Sequence, residues 1–128
     1  CTGLTKFTGG DALTTIKESA FEGDKKLKLI PTMPNLVTIG QGAFKSCSAL
    51  TKVTLSAKVS SIGKEAFFNC SNLRTITIKT KLLKDKKIGK DAFKGIAGKP
   101  SVSCPSGMNK TYSKLLLKKG IPADAKFK

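Results

Sequence analysis

The sequence predicts an α/β-type solenoid, a right-handed coil of stacked repeats with a parallel sheet along its concave side. Three observations predict it. A phrase, Ile-x-x-x-Ala-Phe, recurs four times; successive copies lie 23, 23 and 26 residues apart; and the apolar residues between copies keep the same phase. Because one such unit cannot bury its apolar face alone, function is expected on the repeated surface and not in a single cleft.

Each unit contains a segment that predicts a short β-strand. Around Val53 and Leu55 apolar and polar side chains alternate, which is typical of a strand with every second side chain turned inward. Stacked units place these strands side by side in one parallel sheet, about 4.8 Å apart. The strand that contains Pro31, with Pro34 close behind, is expected to be distorted or locally unpaired, since proline has no N–H to donate.

The recurring phrase itself predicts short helical or 3₁₀ turns on the opposite, convex side, because its apolar spacing is close to four. Alanine precedes phenylalanine in every copy, since two large residues in succession would collide in a narrow coil. Gly40, Gly63 and Gly89 follow the isoleucine in three copies, where the backbone is expected to need positive φ or a close approach.

Cysteine occupies repeated positions and is predicted to be a free, buried thiol. Cys47 and Cys70 share one position of the repeat, and Cys104 falls on an inward strand position. Stacked positions have parallel side-chain vectors, which suit a disulfide poorly, and the spacing matches no zinc site.

The first fifteen residues fit the repeat in phase, so the chain is expected to begin inside a unit of a longer array. Cys1 then belongs to the buried cysteine position; a lipidated N-terminal cysteine is the alternative. The predicted division is an array over residues 1–104, with units at about 1–23, 24–46, 47–69, 70–95 and 96–104, and a C-terminal cap over 105–128.

The cap contains a predicted helix over residues 109–119. Tyr112, Leu115 and Leu116 lie on one face of this helix, and Gly120 and Pro122 end it. Such a face at the end of a solenoid is expected to cover the last coil, because terminal units need a polar outer surface.

Composition excludes several classes of function. The net charge is +16, and of the 24 basic residues one, Arg74, is arginine. This charge favours acidic partners, whereas a lack of arginine argues against bidentate recognition of phosphates or bases, and hence against a specific nucleic-acid reader. The chain has no histidine, the commonest general base and metal ligand, so neither an enzyme nor a cofactor or metal site is expected. No apolar run approaches the ~20 residues of a membrane-spanning helix. A monomer is expected.

Two sets of residues are candidates for binding. The first set consists of outward strand positions of the sheet. Its large apolar side chains could anchor a protein partner, whereas its threonines could equally be ordinary exposed strand residues. The set contains Leu29, Met33, Lys52, Thr54, Ser56, Thr75, Thr77 and Lys79. The second lies in and beside the three-residue insertion of the last long step, which is expected to form a loop on one face and could bind a polyanion: Lys81, Lys84, Lys86, Lys87, Lys90 and Lys94.

The repeat closely resembles the BspA-like leucine-rich repeats. The unit Ile-Gly-x-x-Ala-Phe-x-x-Cys-x-x-Leu-x-x-Val-x-Leu stands at residues 39–55 and, with Ile replacing Val and Leu, at 62–78; the closing segment from Val102 to Gly107 is also similar. The resemblance covers nearly the whole chain. It implies a cell-surface or secreted protein that binds other proteins, in adhesion to host or other microbial cells. It brings no catalytic residues, and Asp24 stands where cysteine is expected.

Three functions therefore remain open at this point. The first is a protein-binding adhesion module that uses the strands. The second is binding of an acidic polysaccharide or cell-wall polymer through the lysine-rich insertion, which should weaken steeply with salt. The third is a structural spacer without a ligand.

Overall fold

The computed structural model describes residues 12–28, 30 and 33–128 of the chain. Within them the elements follow in this order: β1 (Thr15–Ile16), β2 (Thr38–Ile39), β3 (Lys52–Leu55), β4 (Ser61–Ile62), β5 (Thr75–Ile78), a 3₁₀ helix (Asp85–Lys87), β6 (Ser101–Ser103), α1 (Asn109–Leu117) and β7 (Lys126–Phe127).

The predicted parallel sheet is confirmed. Its order is β3-β5-β6-β7, and all pairings among these strands are parallel. Val53, Ile76 and Val102 stand opposite one another and are buried, so the inward side chains stack into a continuous core. No strand is assigned to the described part of residues 27–36, the segment in which the prolines were expected to disturb pairing.

The fourth strand of this sheet, β7, was not predicted from the sequence. Its residue Lys126 pairs with Ser101 and its residue Phe127 with Val102. The chain thus leaves the sheet after β6, passes through α1 and returns to pair beside β6. The division into an array and a separate cap stays a prediction.

A second, three-stranded parallel sheet, β1-β2-β4, forms another side of the coil. It contains the isoleucine that opens each recurring phrase, and a bridge from Ile62 to Ile88 continues it. Each of these strands has two residues, too few for an alternating pattern, so no sequence pattern predicted them.

The phenylalanines of the recurring phrase form a stacked column along the core. Ring centroids are 5.3 Å apart for Phe21–Phe44, 5.3 Å for Phe44–Phe67 and 5.2 Å for Phe67–Phe93, with interplanar angles of 4° to 7°. Phe44, Phe67 and Phe93 are fully buried. Each coil therefore contributes one ring to the column, and the rings of successive copies of the phrase contact one another.

The backbone around this column forms consecutive turns and not a continuous helix. Alternate N–H groups donate to the carbonyl three residues earlier, as Ala66 does to Gly63, and those between them donate to the next coil, as Phe67 does to Ala92 at 2.7 Å. Glu65 and Asn69 have positive φ, 55° and 58°, which breaks any helical run. The predicted short turns on this side are present in this form, and each coil is hydrogen-bonded to its neighbours.

The glycine after the isoleucine is required by close approach of neighbouring coils. A Cβ added to Gly63 would lie 2.4 Å from the backbone nitrogen of Gln41, and one added to Gly89 would lie 2.2 Å from that of Lys64. Gly40 is packed in the same way against Lys17 and Glu18. Of the two expected reasons for glycine at this position, positive φ and close approach of the backbone, close approach is the correct one.

Cys47, Cys70 and Cys104 are free thiols, as predicted, but the predicted burial of Cys104 was wrong: it is half-buried, because it lies just beyond the end of β6. Cys1 lies outside the described residues. Cys47 and Cys70 are buried, and each Sγ donates to a phenylalanine carbonyl of the preceding coil, to Phe21 at 3.1 Å and Phe44 at 3.0 Å. Burial raises the pKa of Cys47 to about 11 and also raises the pKa of Cys70 and Cys104. These thiols stay protonated near neutral pH and serve as packing groups.

Helix α1 is fastened to the insertion by a buried tyrosine. The predicted apolar face, Tyr112, Leu115 and Leu116, is buried. The Tyr112 hydroxyl donates to the Thr80 carbonyl at 2.8 Å and accepts from the Leu83 N–H at 3.4 Å. Burial raises the pKa of Tyr112, which keeps the hydroxyl protonated and able to donate.

Replacing Tyr112 by phenylalanine is expected to lower the free energy of unfolding by about 1–2 kcal/mol, because it leaves the buried carbonyl of Thr80 without its partner. Chemical denaturation measures the loss, and hydrogen exchange should show faster exchange at the Leu83 amide. Ser113→Ala is the control, since its hydroxyl donates to Lys110 at an exposed site and its loss should change stability by less than about 0.5 kcal/mol. Equal effects of the two variants would contradict the fastening role of Tyr112.

Candidate functional site

The outward side chains of the four-stranded sheet form two ordered rows. In the first row Lys52, Thr75, Ser101 and Lys126 stand opposite one another on adjacent strands. In the second row Thr54 stands opposite Thr77, and Thr77 opposite Ser103. We call these seven residues the strand face.

The strand face presents hydroxyl groups between lysines. Its threonines and serines are half-buried, whereas Lys52 and Lys126 are exposed. Neighbouring strands are about 4.8 Å apart, so a row of four spans roughly 14 Å. Because β-branched threonine has a restricted χ1, the hydroxyl oxygens of Thr54, Thr75 and Thr77 have few available positions before any partner binds.

Two predicted contact residues are not on this surface. Met33 and Ser56 are buried, with 3% and 5% of their surfaces exposed. The two residues occupy the same repeat position at a corner of the coil, where the N–H three residues later donates back to the carbonyl of Met33 (3.1 Å) or Ser56 (3.0 Å). The strand alternation ends at this corner and the side chain turns inward, so the prediction of exposed side chains here was wrong.

The other predicted residues of this set fall as follows. Lys52, Thr54, Thr75 and Thr77 lie on the strand face, and Lys79 is exposed just beyond β5. Lys79 stands at the corner position of Met33 and Ser56, but here the insertion begins and Thr80 is buried instead. Leu29 lies outside the described residues.

The insertion is a fixed segment with an exposed basic surface. Thr80 Oγ1 donates to the Val59 carbonyl at 2.6 Å and accepts from the Leu82 N–H at 3.1 Å, while Leu83 packs into the core. All six candidate lysines of this region are exposed: Lys81, Lys84, Lys86, Lys87, Lys90 and Lys94.

An ion pair links this insertion to the residues that follow α1. Lys119 Nζ lies 2.9 Å from Asp85 Oδ1, with 14% of the lysine side chain and 61% of the aspartate side chain exposed. The hydrogen bond and the charge of Lys119 lower the pKa of Asp85. The contribution of this pair to stability is therefore present near neutral pH and lost as the pH falls through the depressed pKa of Asp85.

Other kinds of site have little support in the described part of the chain. An open apolar cavity of about 310 Å³ lies at the N-terminal end of the described coils and is lined by Leu13, Thr15, Ile16, Lys17, Ala20 and Phe21. Within residues 12–28, 30 and 33–128, no three His, Cys, Asp or Glu side chains are grouped so as to hold a metal ion. The same residues include no helix with the length and apolar character to cross a membrane.

The repeated coils identify the family. A profile of the BspA type leucine rich repeat region matches residues 1–119 in six copies. The chain belongs to the BspA-type leucine-rich repeat family. Proteins of this family are typically non-enzymatic scaffolds, extracellular or surface-associated, and the repeat suggests a protein-interaction module.

Two solved bacterial structures are similar to this BspA-type chain. A leucine-rich repeat protein from Bacteroides ovatus is 29% identical, with a TM-score of 0.71 over 90% of this chain and 28% of that chain. The T. pallidum leucine-rich repeat protein is 26% identical, with a TM-score of 0.58 over 87% of this chain and 60% of that one. This chain thus spans only part of either protein. No curated protein matches it significantly.

Sequence reasoning missed two features of these surfaces. Lys126 joins the strand face only because the C-terminal residues return to the sheet as β7. The position of α1 beside the insertion depends on Tyr112 and on the Lys119–Asp85 pair, which link residues 29 to 34 positions apart in sequence. The helix and the lysines were recognisable in the sequence, but their contact was not.

Proposed function

We propose that this BspA-type chain is a non-enzymatic, cell-surface or secreted module that binds another protein through the strand face, in adhesion to host or other microbial cells. The observation that carries the proposal is the pair of ordered rows on four parallel strands, with half-buried hydroxyl groups flanked by lysines.

Physical chemistry favours a protein partner for this surface. Hydroxyl groups donate and accept hydrogen bonds, and threonine adds a methyl group, so the face can form both polar and apolar contacts. Fixed side chains lose little conformational entropy on binding, which leaves more of the contact energy as affinity. Lys52 and Lys126 at the ends of the first row, and the exposed Lys79 just beyond β5, favour a partner that carries acidic side chains.

Replacing Thr77 by glutamate is expected to weaken binding to a protein partner by about tenfold or more, because it places a larger, negatively charged side chain at the centre of the face. Immobilised matrix proteins are the probes, at physiological salt, with circular dichroism to verify folding. Thr77→Val keeps the shape of the side chain and removes only the hydroxyl group, so it should weaken binding less than Thr77→Glu does.

The matched control is Thr111→Glu, which makes the same change at an exposed position of α1. It should bind as the unmodified chain does. Equal loss in the two variants would assign the effect to net charge. Absence of binding to every matrix protein in the panel would contradict the adhesion role and favour a structural spacer.

A further inference from the structure

Helix α1 presents a row of lysines on the side opposite its buried face. Lys110, Lys114 and Lys118 follow one another at four-residue intervals, and all three are exposed. At 1.5 Å per residue, successive members are about 6 Å apart along the axis, and the row extends over roughly 12 Å. Residues with this spacing lie on one face of a helix. We call these three residues the α1 lysine row.

The row is unfavourable for the isolated helix. Like charges four residues apart repel one another, and Lys110 lies in the first turn, where the helix dipole disfavours a positive charge. The first turn contains no acidic residue, and Met108 at the N-cap provides no side-chain hydrogen bond. A bound anion would relieve this repulsion.

The insertion extends the same basic surface. The Lys119–Asp85 pair and the Tyr112–Thr80 hydrogen bond hold the 3₁₀ helix beside the C-terminal end of α1. Lys84, Lys86 and Lys87, the neighbours of Asp85 in sequence, therefore lie at the same end of α1 as Lys118. In the described ranges the ion pairs are Lys45–Glu65 and Lys119–Asp85, so no described carboxylate forms an ion pair with the α1 lysine row or with these insertion lysines. Besides the hydrogen bond and the charge of Lys119, the charge of Lys118 does help to lower the pKa of Asp85.

We propose that the α1 lysine row and the insertion lysines together form a binding surface for a linear sulfated polysaccharide. This surface is separate from the strand face and goes beyond the proposed protein-binding function. It is an exposed row and not a cleft, which suits an extended polymer whose charges recur along its length. Lysine provides single point charges, and a sulfate ester carries one negative charge, so no bidentate fork is needed.

Other polyanions fit the surface less well. Single-stranded nucleic acids bind through aromatic side chains on which bases stack. Tyr112, the one aromatic residue of α1, is buried, and the insertion contains no aromatic residue. Arg74, the one arginine, stands before the first residue of β5, whereas the insertion follows the last, so the strand separates the guanidinium fork from this surface. The half-exposed Leu82 and Leu117 offer little apolar surface for insertion, so an anionic membrane would be held by charge alone, and vesicles are therefore one arm of the test.

The test measures binding of the full chain to heparin at 150 mM NaCl and over a salt series. Replacing Lys110, Lys114 and Lys118 by glutamine is expected to weaken binding about tenfold or more, and to lower the slope of log K against log salt by about one per lysine removed. Replacing Lys84, Lys86 and Lys87 by glutamine should have a similar effect, because both elements contact the same chain.

The control replaces three exposed lysines at the other end of the molecule, Lys17, Lys25 and Lys28, by glutamine and removes the same charge. It should bind heparin within about twofold of the unmodified chain. Equal loss in this control, binding that is absent at 150 mM NaCl, or tighter binding to polyphosphate or to phosphatidylglycerol vesicles would each overturn the proposal. Because Thr77→Glu leaves this surface intact, failure here and failure of the protein-binding function are distinguishable.

Discussion

Replacing Phe67 by alanine is expected to lower the free energy of unfolding by about 4 kcal/mol, enough to unfold much of a domain of ordinary stability. Phe67 is fully buried, and its ring stacks against Phe44 at 5.3 Å on one side and Phe93 at 5.2 Å on the other. The substitution therefore leaves a cavity in the middle of the column and removes two aromatic contacts, each of which adds to the burial term. Urea denaturation followed by circular dichroism measures the loss.

The neighbouring residue is the control for this prediction. Phe68 is half-buried, on the outside of the coil, with Lys45 Nζ 5.4 Å from its ring centroid. Phe68→Ala removes the same atoms and should cost about 1 kcal/mol or less. If Phe67→Ala does not fold, Phe67→Leu, which keeps part of the volume without the ring, should fold and lose about half as much. A loss at Phe68 equal to that at Phe67 would contradict the role of the column.

Gly63→Ala is expected to cost about 3 kcal/mol or more, although it adds only one methyl group. That group would lie 2.4 Å from the Gln41 nitrogen and 2.6 Å from the Gly40 carbonyl carbon, so whole coils must move apart. Separating the coils lengthens the Gly63 N–H to Ile39 carbonyl bond, now 2.7 Å, and disturbs the adjoining ladder. Overpacking of this kind typically costs 1–3 kcal/mol even where side chains can adjust, and here the contacts are backbone. Thermal denaturation provides the measurement.

Gly98→Ala is the matched substitution at an open position. A Cβ there would meet Asp124 Oδ2 at 3.8 Å, an ordinary contact, and the backbone is not in the left-handed region. Its effect should stay within about 0.5 kcal/mol, and alanine could even stabilise the chain by restricting the unfolded state. Similar stabilities of the Gly63 and Gly98 variants would mean that the coils are not packed at the backbone distances described.

The features predictable from the sequence are those repeated with a period. The recurring Ile76 position predicted the parallel sheet, and the recurring phrase around Phe67 predicted the short turns on the opposite side, since the same apolar residue returns at the same place in each coil. The stacking of the phenylalanine rings was not predicted. The two-residue strands, by contrast, have no period of their own. β7 in particular forms because residues around Lys126 return to β6 after a helix, which only the tertiary structure reveals.

The candidate site was predictable where the strand alternation holds and not where it ends. Thr75 and Thr77 lie on the strand face as their alternation with Ile76 and Ile78 required. At Met33 and Ser56 the coil turns a corner, and the period of two, correct up to that point, predicted the wrong orientation. Sequence patterns alone could not locate this corner, because its position depends on a backbone hydrogen bond across three residues.

The grouping of the lysines on the surface was not predictable from the sequence. The excess of lysine was evident from composition, but composition does not show which lysines share a surface. The short Lys119–Asp85 contact brings together two elements that are separate in sequence, and it places the insertion beside the helix that carries the α1 lysine row. The molecule therefore presents two different surfaces, a strand face of fixed hydroxyl groups and a basic surface at the C-terminal end.

The most direct test of the protein-binding account is methyl NMR of the full chain titrated, at physiological salt, with a matrix protein that it binds. If the partner binds the strand face, the methyl signals of Thr54, Thr75 and Thr77 shift or broaden. The methyl signals of Thr111 on α1 and of the buried Thr80 then stay in place. Perturbation confined to Thr111 and Leu117, with the strand threonines unchanged, would place binding at the basic surface and contradict the role given to the strand face.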